Sequence, residues 1–269
     1  MTLEDARDLL ATMVPASPLP GQVSLSFEGR IAHLKIDNPT ARGAVTLSMM
    51  RDLADAVLQL ERFEGSMVLV SSTDPRAFCS GGHLGEVSRV VDGSEAAERM
   101  SIAMTRVLDG LLALPLLSVA ALDGLAIGGG AELAVACDWR VASPEAQLHF
   151  VHARLGIAPG WGGTGRLVRL LGRNHALRVL TAARPLSRGE AMTIGLIDHC
   201  CDGSAVAAAM SWCSGMLSHP PSAIRAVKEQ VAAAAPPRRS PHAEARIFSE
   251  IWGSPAHLEA LQRLDRHRR

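Results

Sequence analysis

Tyrosine is missing from this chain of 269 residues, and aromatic side chains make up only 3% of it. No phenol is therefore available as a proton donor. Charge of one sign is missing too, since 27 Lys and Arg stand against 27 Asp and Glu. Without a broad basic stripe the chain is not built to follow a nucleic-acid backbone, and the local clusters at Arg238-Arg239 and from Arg263 to Arg269 are too confined to act as one. Five cysteines (Cys79, Cys137, Cys200, Cys201, Cys213) form an odd set without Cys-x-x-Cys spacing. That excludes a disulfide framework or zinc ribbon and points to reduced thiols inside a cell. No apolar run is long enough to span a bilayer: Leu111 to Leu122 is broken by Pro115 and ends at Asp123. The N-terminus, Met-Thr-Leu-Glu-Asp-Ala-Arg-Asp8, carries early acids and lacks the apolar core of a signal peptide. A soluble cytoplasmic protein is expected, and its 48% apolar residues suffice for a large core.

What is present is a strand-loop-helix rhythm with glycines at the strand exits. A short amphipathic helix is expected from Leu3 to Met13, then a hairpin of Val23–Phe27 and Ile31–Ile36 around Glu28-Gly-Arg30. Thr46 caps a helix that runs to about Arg62, with apolar positions Leu47, Met50, Leu53, Val57 and Leu60. A buried strand at Ser66–Ser72 leads to a loop, Thr73-Asp-Pro-Arg-Ala-Phe-Cys-Ser-Gly-Gly82, and to helices at Leu84–Val91 and Gly93–Ala113. Later strands are expected at Trp139–Ala142, Leu148–His152 and Ile197–Cys201, with helices at Gly165–Leu171, Asn174–Thr181 and Ser187–Ile194. From Ala205 onward the pattern is helical, broken at Pro220-Pro221 and at Ala235–Pro241. The compact part is placed at residues 1–204, with a helical region at 205–269 that packs on it and on a neighbouring subunit.

The central stretch is Ser118 to Asp138. An apolar strand reaches Asp123-Gly124, crosses Gly128, Gly129 and Gly130, and opens into the helix-forming Ala131-Glu-Leu-Ala-Val-Ala136. Bare amides at the head of a helix suit an oxyanion, and Glu132 in the first turn is either a capping charge or a chemical group. Other motifs fail. Gly160-Trp-Gly-Gly-Thr-Gly165 follows no clean strand, so it is not a dinucleotide loop. No Gly-x-Ser-x-Gly exists. Cys79 near His83 is a buried thiol rather than a reactive pair, and His149 with His152 lacks the further ligands of a metal site.

The two glycine loops, Ala77-Phe-Cys-Ser-Gly-Gly-His-Leu84 and Asp123-Gly-Leu-Ala-Ile-Gly-Gly-Gly-Ala-Glu-Leu133, together resemble the oxyanion-hole segments of the crotonase (enoyl-CoA hydratase/isomerase) superfamily. Asn38-Pro-x-Ala-Arg42, Gly162-Gly-Thr-x-Arg166 and Ala191-x-x-x-Gly-Leu-Ile197 fall at that family's intervals, so the resemblance covers about residues 20 to 269. It implies an α/β fold, a spiral of β-β-α units with a C-terminal helical trimerisation region, and a homotrimer or dimer of trimers. It also implies that the N–H groups of Gly82 and Gly129 hold a thioester oxygen. The turn around Arg42 and Ala44 would contact the nucleotide of an acyl-CoA, and Ala77, Ser80, His83 and Leu84 would run beside the pantetheine. Gly128, Pro159 and Trp161 would complete the pocket. Coenzyme A enters as part of the substrate, and no separate cofactor or metal is implied.

Hydratases of the family use two glutamates. Glu132 matches the first, but the second position holds His152. The segment Phe150-Val-His-x-x-Leu-Gly-Ile-x-Pro-x-Trp-Gly-Gly-Thr164 and the tail Ile251-Trp-Gly-Ser-Pro-Ala-His-Leu-Glu-Ala260 resemble instead the family's decarboxylase branch, which acts on ethylmalonyl-CoA and, less well, methylmalonyl-CoA. A tyrosine-dependent version is ruled out by composition. The expected reaction is loss of CO2 to a thioester enolate, with His152 as proton donor and Glu132 positioning the carboxylate or the imidazole. A 2-enoyl-CoA hydratase or isomerase, and an acyl-CoA-binding protein without turnover, are the alternatives.

Overall fold

Apolar strands alternating with amphipathic helices fold into two sheets wrapped by helices. The computed structural model describes residues 1–16, 18–234 and 241–266. The expected break at 235–240, with Arg238-Arg239, and the end of the basic tail at 267–269 lie outside the described residues.

Helix α1 (Leu3–Met13) begins at a reciprocal cap between Thr2 and Asp5. Strands β1 (Gln22–Glu28) and β2 (Ile31–Asp37) form the expected antiparallel hairpin, its turn eased by Gly29 at φ 56°. Helix α2 (Leu47–Glu61) starts where the Thr46 hydroxyl accepts from the Met49 amide. The following units each place one strand in each sheet. These are β3 (Met67–Ser72), β4 (Ala77–Cys79), α3 (Leu84–Val90) and α4 (Gly93–Ala113); β5 (Leu117–Leu122), β6 (Leu125–Ile127) and α5 (Gly129–Ala134); then β7 (Trp139–Ala142), β8 (Gln147–His149) and α6 (Gly163–Ala182). The chain closes with β9 (Leu186–Ser187), α7 (Arg188–Thr193), β10 (His199–Cys200) and the helices α8 (Ala205–Leu217), α9 (Pro221–Ala234), α10 (Pro241–Ile251) and α11 (Pro255–Arg266).

The large sheet has the order β1-β2-β3-β5-β7-β10 and the small one β4-β6-β8-β9. Strands β3 and β5 are mostly apolar because both faces are covered: one by the main core, the other by Ala205, Ala209 and Cys213 of α8 against Met67, Leu69 and Val119. After residue 204 the described helices return to the same chain, α8 onto the large sheet, α10 onto α4 and α11 onto the turn at Val151–Leu155.

Two expectations need correction. Residues 77–79 are a strand within what the glycines and Pro75 suggest is all loop. The strand expected to reach His152 stops at His149, and His152 stands in a 3-10 turn, Val151–Leu155. The two helices expected around residue 173 are both present, joined within α6 at Gly172, whose φ of 73° and ψ of 165° are not helical. No helix among the described residues is long and apolar enough to cross a membrane.

Candidate active site

The small sheet carries both glycine loops to one place. Val45 and Gly82 form an isolated parallel bridge in which the Val45 amide donates to the Gly81 carbonyl at 2.8 Å and the His83 amide donates to the Val45 carbonyl at 2.8 Å. Gly82, between them, turns its own N–H to the opposite side, and that N–H has no protein acceptor among the described residues. Gly129 is the first residue of α5, where an N–H has no partner in the preceding turn. The loops touch: a Cβ on Gly81 would stand 3.0 Å from the Gly129 nitrogen. One indole spans both, since the Trp161 ring comes within 2.6 Å of a Cβ on Gly129 and 3.6 Å of one on Gly82.

The three consecutive glycines are explained largely by the protein's own packing. A Cβ on Gly130 would lie 2.0 Å from the Cys79 carbonyl oxygen, and the side-chain space of Gly129 is filled by Trp161; only Gly128, at φ 54°, has no atom nearer than 3.6 Å. Gly129→Ala is therefore expected to cost about 1–3 kcal/mol of stability through overpacking. A fall in the urea midpoint, with a matching loss of turnover as the indole is displaced, checks it.

Glu132 is buried, with 1% of its side chain exposed, and every lone-pair direction of its carboxylate is occupied. One oxygen accepts from the Trp161 amide at 2.9 Å and the Gly163 amide at 2.7 Å; the other accepts from the Gly160 amide at 3.2 Å and lies 3.0 Å from His152 Nε2. The carboxylate thus sits as an anion on the unsatisfied amides that lead into α6. Burial pushes its pKa up, but the hydrogen bond and charge of His152 and the amides of Gly163 and Trp161 outweigh that and hold it below the ordinary carboxylate value. Gly163 must be glycine, because a Cβ there would stand 2.7 Å from the carboxylate oxygen. His152 is buried beside this anion, and its Nδ1 is left without a protein partner. His149 is separate, bonded through Nε2 to the Ala183 carbonyl at 2.8 Å.

A cavity of about 740 Å³ runs past these groups. Gly82, Gly129, Glu132, His152, Arg42, Ala44, Ser80, His83, Leu84, Gly128 and Trp161 all line it. Ser80 is tied to the Arg42 turn, its amide donating to the Arg42 carbonyl at 3.1 Å and its hydroxyl to the Ala41 carbonyl at 3.1 Å. His83 caps α3, its Nδ1 accepting from the Glu86 amide at 3.2 Å. Two expected residues do not reach the wall. Ala77 is consumed by pairing with Leu125 inside the small sheet, and Pro159 is buried one residue short of the turn that brings Gly160 and Trp161 to the cavity. Cys79 is an inert thiol, pushed up to about 12 by burial.

Sequence reasoning missed two supports. The apolar end of the cavity comes from Met50, Val87 and Met100, closed by Phe248 of α10 and by Trp252 in the turn that follows it. Behind the Glu132 nest lies a buried Arg166, which donates to the Trp161 carbonyl at 2.5 Å, the Thr105 carbonyl at 3.2 Å and Asp109 Oδ1 at 2.6 Å. Burial lowers its pKa to about 10, with Glu132 and Glu244 opposing the shift. Its place in the Gly162-Gly-Thr-x-Arg166 pattern was the one available signal.

A profile of the enoyl-CoA hydratase/isomerase family matches residues 26–263. The chain belongs to that family. Among curated enoyl-CoA hydratase/isomerase relatives it is 36% identical over 250 residues to the ethylmalonyl-CoA decarboxylase of Gallus gallus, covering 90% of this chain and 84% of the relative. It is 37% identical over 253 residues to the ethylmalonyl-CoA decarboxylase of Danio rerio, covering 90% and 82%. The crystal structure of an enoyl-CoA hydratase from Mycobacterium avium subsp. paratuberculosis K-10 superposes with a TM-score of 0.79 at 23% identity, over 91% of this chain and 98% of that one, which establishes the family fold.

Proposed function

We propose that this protein is a carboxy-lyase that removes CO2 from a short 2-alkylmalonyl-CoA, ethylmalonyl-CoA or methylmalonyl-CoA, through a thioester enolate held by the amides of Gly82 and Gly129. The observation that carries this reading is the saturation of Glu132. Its carboxylate already accepts from three amides and faces His152 at 3.0 Å, so it has no lone pair left to activate a water for addition to a double bond. Decarboxylation asks for no such base. The bond between the α-carbon and the departing carboxylate breaks, its electron pair moves into the thioester carbonyl, and the resulting oxyanion is met by the two unpaired N–H donors. Donors of this kind are worth roughly 10²- to 10³-fold in rate each. His152 then gives a proton to the α-carbon, leaving butyryl-CoA from the ethyl substrate, and recovers one from solvent. Glu132 acts as a positioning residue that holds the imidazole through Nε2. The apolar side of the cavity favours departure of neutral CO2 from a carboxylate stripped of water.

The thioester is its own electron sink, so coenzyme A arrives with the substrate and the chemistry calls for no further cofactor. The names of the curated relatives support the same reaction. The expected assembly is a homotrimer or dimer of trimers, and Val227 and Val231, four apart on α9 and 60% and 65% exposed, are an apolar pair that such an interface would cover. Release of labelled CO2 from carboxyl-labelled ethylmalonyl-CoA, with butyryl-CoA as the other product, is the expected result. Rapid hydration of crotonyl-CoA with ethylmalonyl-CoA untouched would give the hydratase reading instead, and tight binding of CoA esters with no turnover would give a binding protein.

A further inference from the structure

Resting on the reaction proposed above and deepening it, we infer that Met50, with Val87 and Met100 beside it, sets the length of the alkyl group the substrate carries on its α-carbon. A thioester oxygen on Gly82 and Gly129 places the α-carbon two bonds away, so the surroundings of those glycines decide what the α-carbon can carry. The nearest heavy atoms to a Cβ on Gly82 are all carbon: Met50 Cε at 3.6 Å, Trp161 Cζ2 at 3.6 Å and Val87 Cγ2 at 3.7 Å. Met50, Val87 and Met100 come from α2, α3 and α4, are 1%, 3% and 3% exposed, and all face the cavity. The polar pair Glu132 and His152 stands elsewhere on the same wall, with His152 Nε2 3.9 Å from a Cβ on Gly128.

An α-carbon bearing a carboxylate and an alkyl chain therefore meets distinct apolar and polar surroundings, and burial of the chain favours the apolar one by roughly fourfold per methylene. The Met50 side chain closes that end with its terminal methyl. It is unbranched, so it closes the pocket by length alone, and removing it beyond Cβ opens space along the direction an alkyl chain would grow.

The test uses the full-length protein and 2-methyl-, 2-ethyl-, 2-butyl- and 2-hexylmalonyl-CoA, with kcat/KM read from CO2 release. Met50→Ala is expected to raise the butyl-to-ethyl ratio tenfold or more, within the range that methylene discrimination in apolar pockets spans. Val87→Ala should raise it by a smaller factor. Met49→Ala is the control: it removes the same side chain from the same helix, but Met49 is fully buried against Asn38 and does not line the cavity, so the ratio should stay at the wild-type value. A wild-type ratio in Met50→Ala, with ethylmalonyl-CoA still turned over, overturns the assignment. Should Met50→Ala fail to fold, Val87→Ala decides in its place: a raised ratio supports the assignment and a wild-type ratio overturns it. If wild-type protein releases CO2 from none of these thioesters, the proposed reaction fails, and the pocket is then judged by binding of propionyl-, butyryl- and hexanoyl-CoA. An affinity order that does not move toward the longer chain in Met50→Ala overturns the pocket as well.

Discussion

Replacing His152 with alanine is expected to lower kcat for CO2 release by about 10²- to 10⁴-fold, the contribution of a positioned proton donor, while acyl-CoA binding changes little. The split follows from where the residue stands. His152 contacts the carboxylate at 3.0 Å and lies on the cavity wall close to Gly128, whereas Arg42, Ser80 and the first glycine loop belong to other elements and keep their own hydrogen bonds without it. The nest around Glu132 also survives, because three of its four donors are backbone amides of residues 160–163. Single-turnover measurement with the ethyl substrate separates the two quantities: the decarboxylation signal should collapse while the Kd for butyryl-CoA holds. Wild-type turnover in the variant would remove His152 from the mechanism.

Much of this site is visible in the sequence because its parts are local. The hairpin, the Thr46 cap and the glycine loops are each written in a few adjacent residues, and local rules locate them. Glu132 and His152 stand twenty residues apart in chain order, and their residue types mark them as chemical candidates. Their contact is another matter: it depends on His152 leaving the strand after His149 and entering a 3-10 turn, which the strand-like stretch Leu148-His-Phe-Val151 conceals. The same limit hides the apolar end of the cavity. Met50 sits at a spacing on α2 that marks a core face, and core and cavity wall share one periodicity. Phe248 and Trp252 reach the site only because α10 folds back along α4, a long-range placement that no local pattern encodes. Arg166 was legible as part of a motif but not as a buried cation holding the Trp161 carbonyl, since a charged residue is expected at the surface unless its partners are known.

Glu132→Gln should be the most damaging isosteric change in the molecule. Every acceptor position on this carboxylate meets a donor, so the amide nitrogen of glutamine must face either the Trp161 and Gly163 amides or the Gly160 amide and His152. Both orientations set donor against donor at a side chain that is only 1% exposed. Breaking a buried charged pair from one side typically costs about 3–5 kcal/mol, and a loss of that size is expected in denaturant unfolding at pH 7. Turnover should fall with it, since His152 loses the anion that orients its ring. The sign of the pH dependence separates charge from shape. The Glu132 pKa is depressed in the folded protein from its ordinary 4.5, so its ionisation contributes stability that is fully present above that value and is lost as pH falls through the folded value. The gap in stability between wild type and Glu132→Gln should therefore be widest near neutrality and shrink on acidification below about pH 4.5, while a buried polar change without a carboxylate partner, such as Ser66→Ala, whose hydroxyl accepts from Arg30 Nη2 at 2.9 Å, serves as the reference for general acid sensitivity. A gap that instead widens as pH falls from 7 toward 4.5 would mean that Glu132 is protonated in the folded state, because only the unfolded carboxyl then takes up a proton over that range. The carboxylate would then be a hydrogen-bonded acid, His152 would lose its counter-charge, and the assignment of proton donor would pass from the imidazole to the carboxyl group itself.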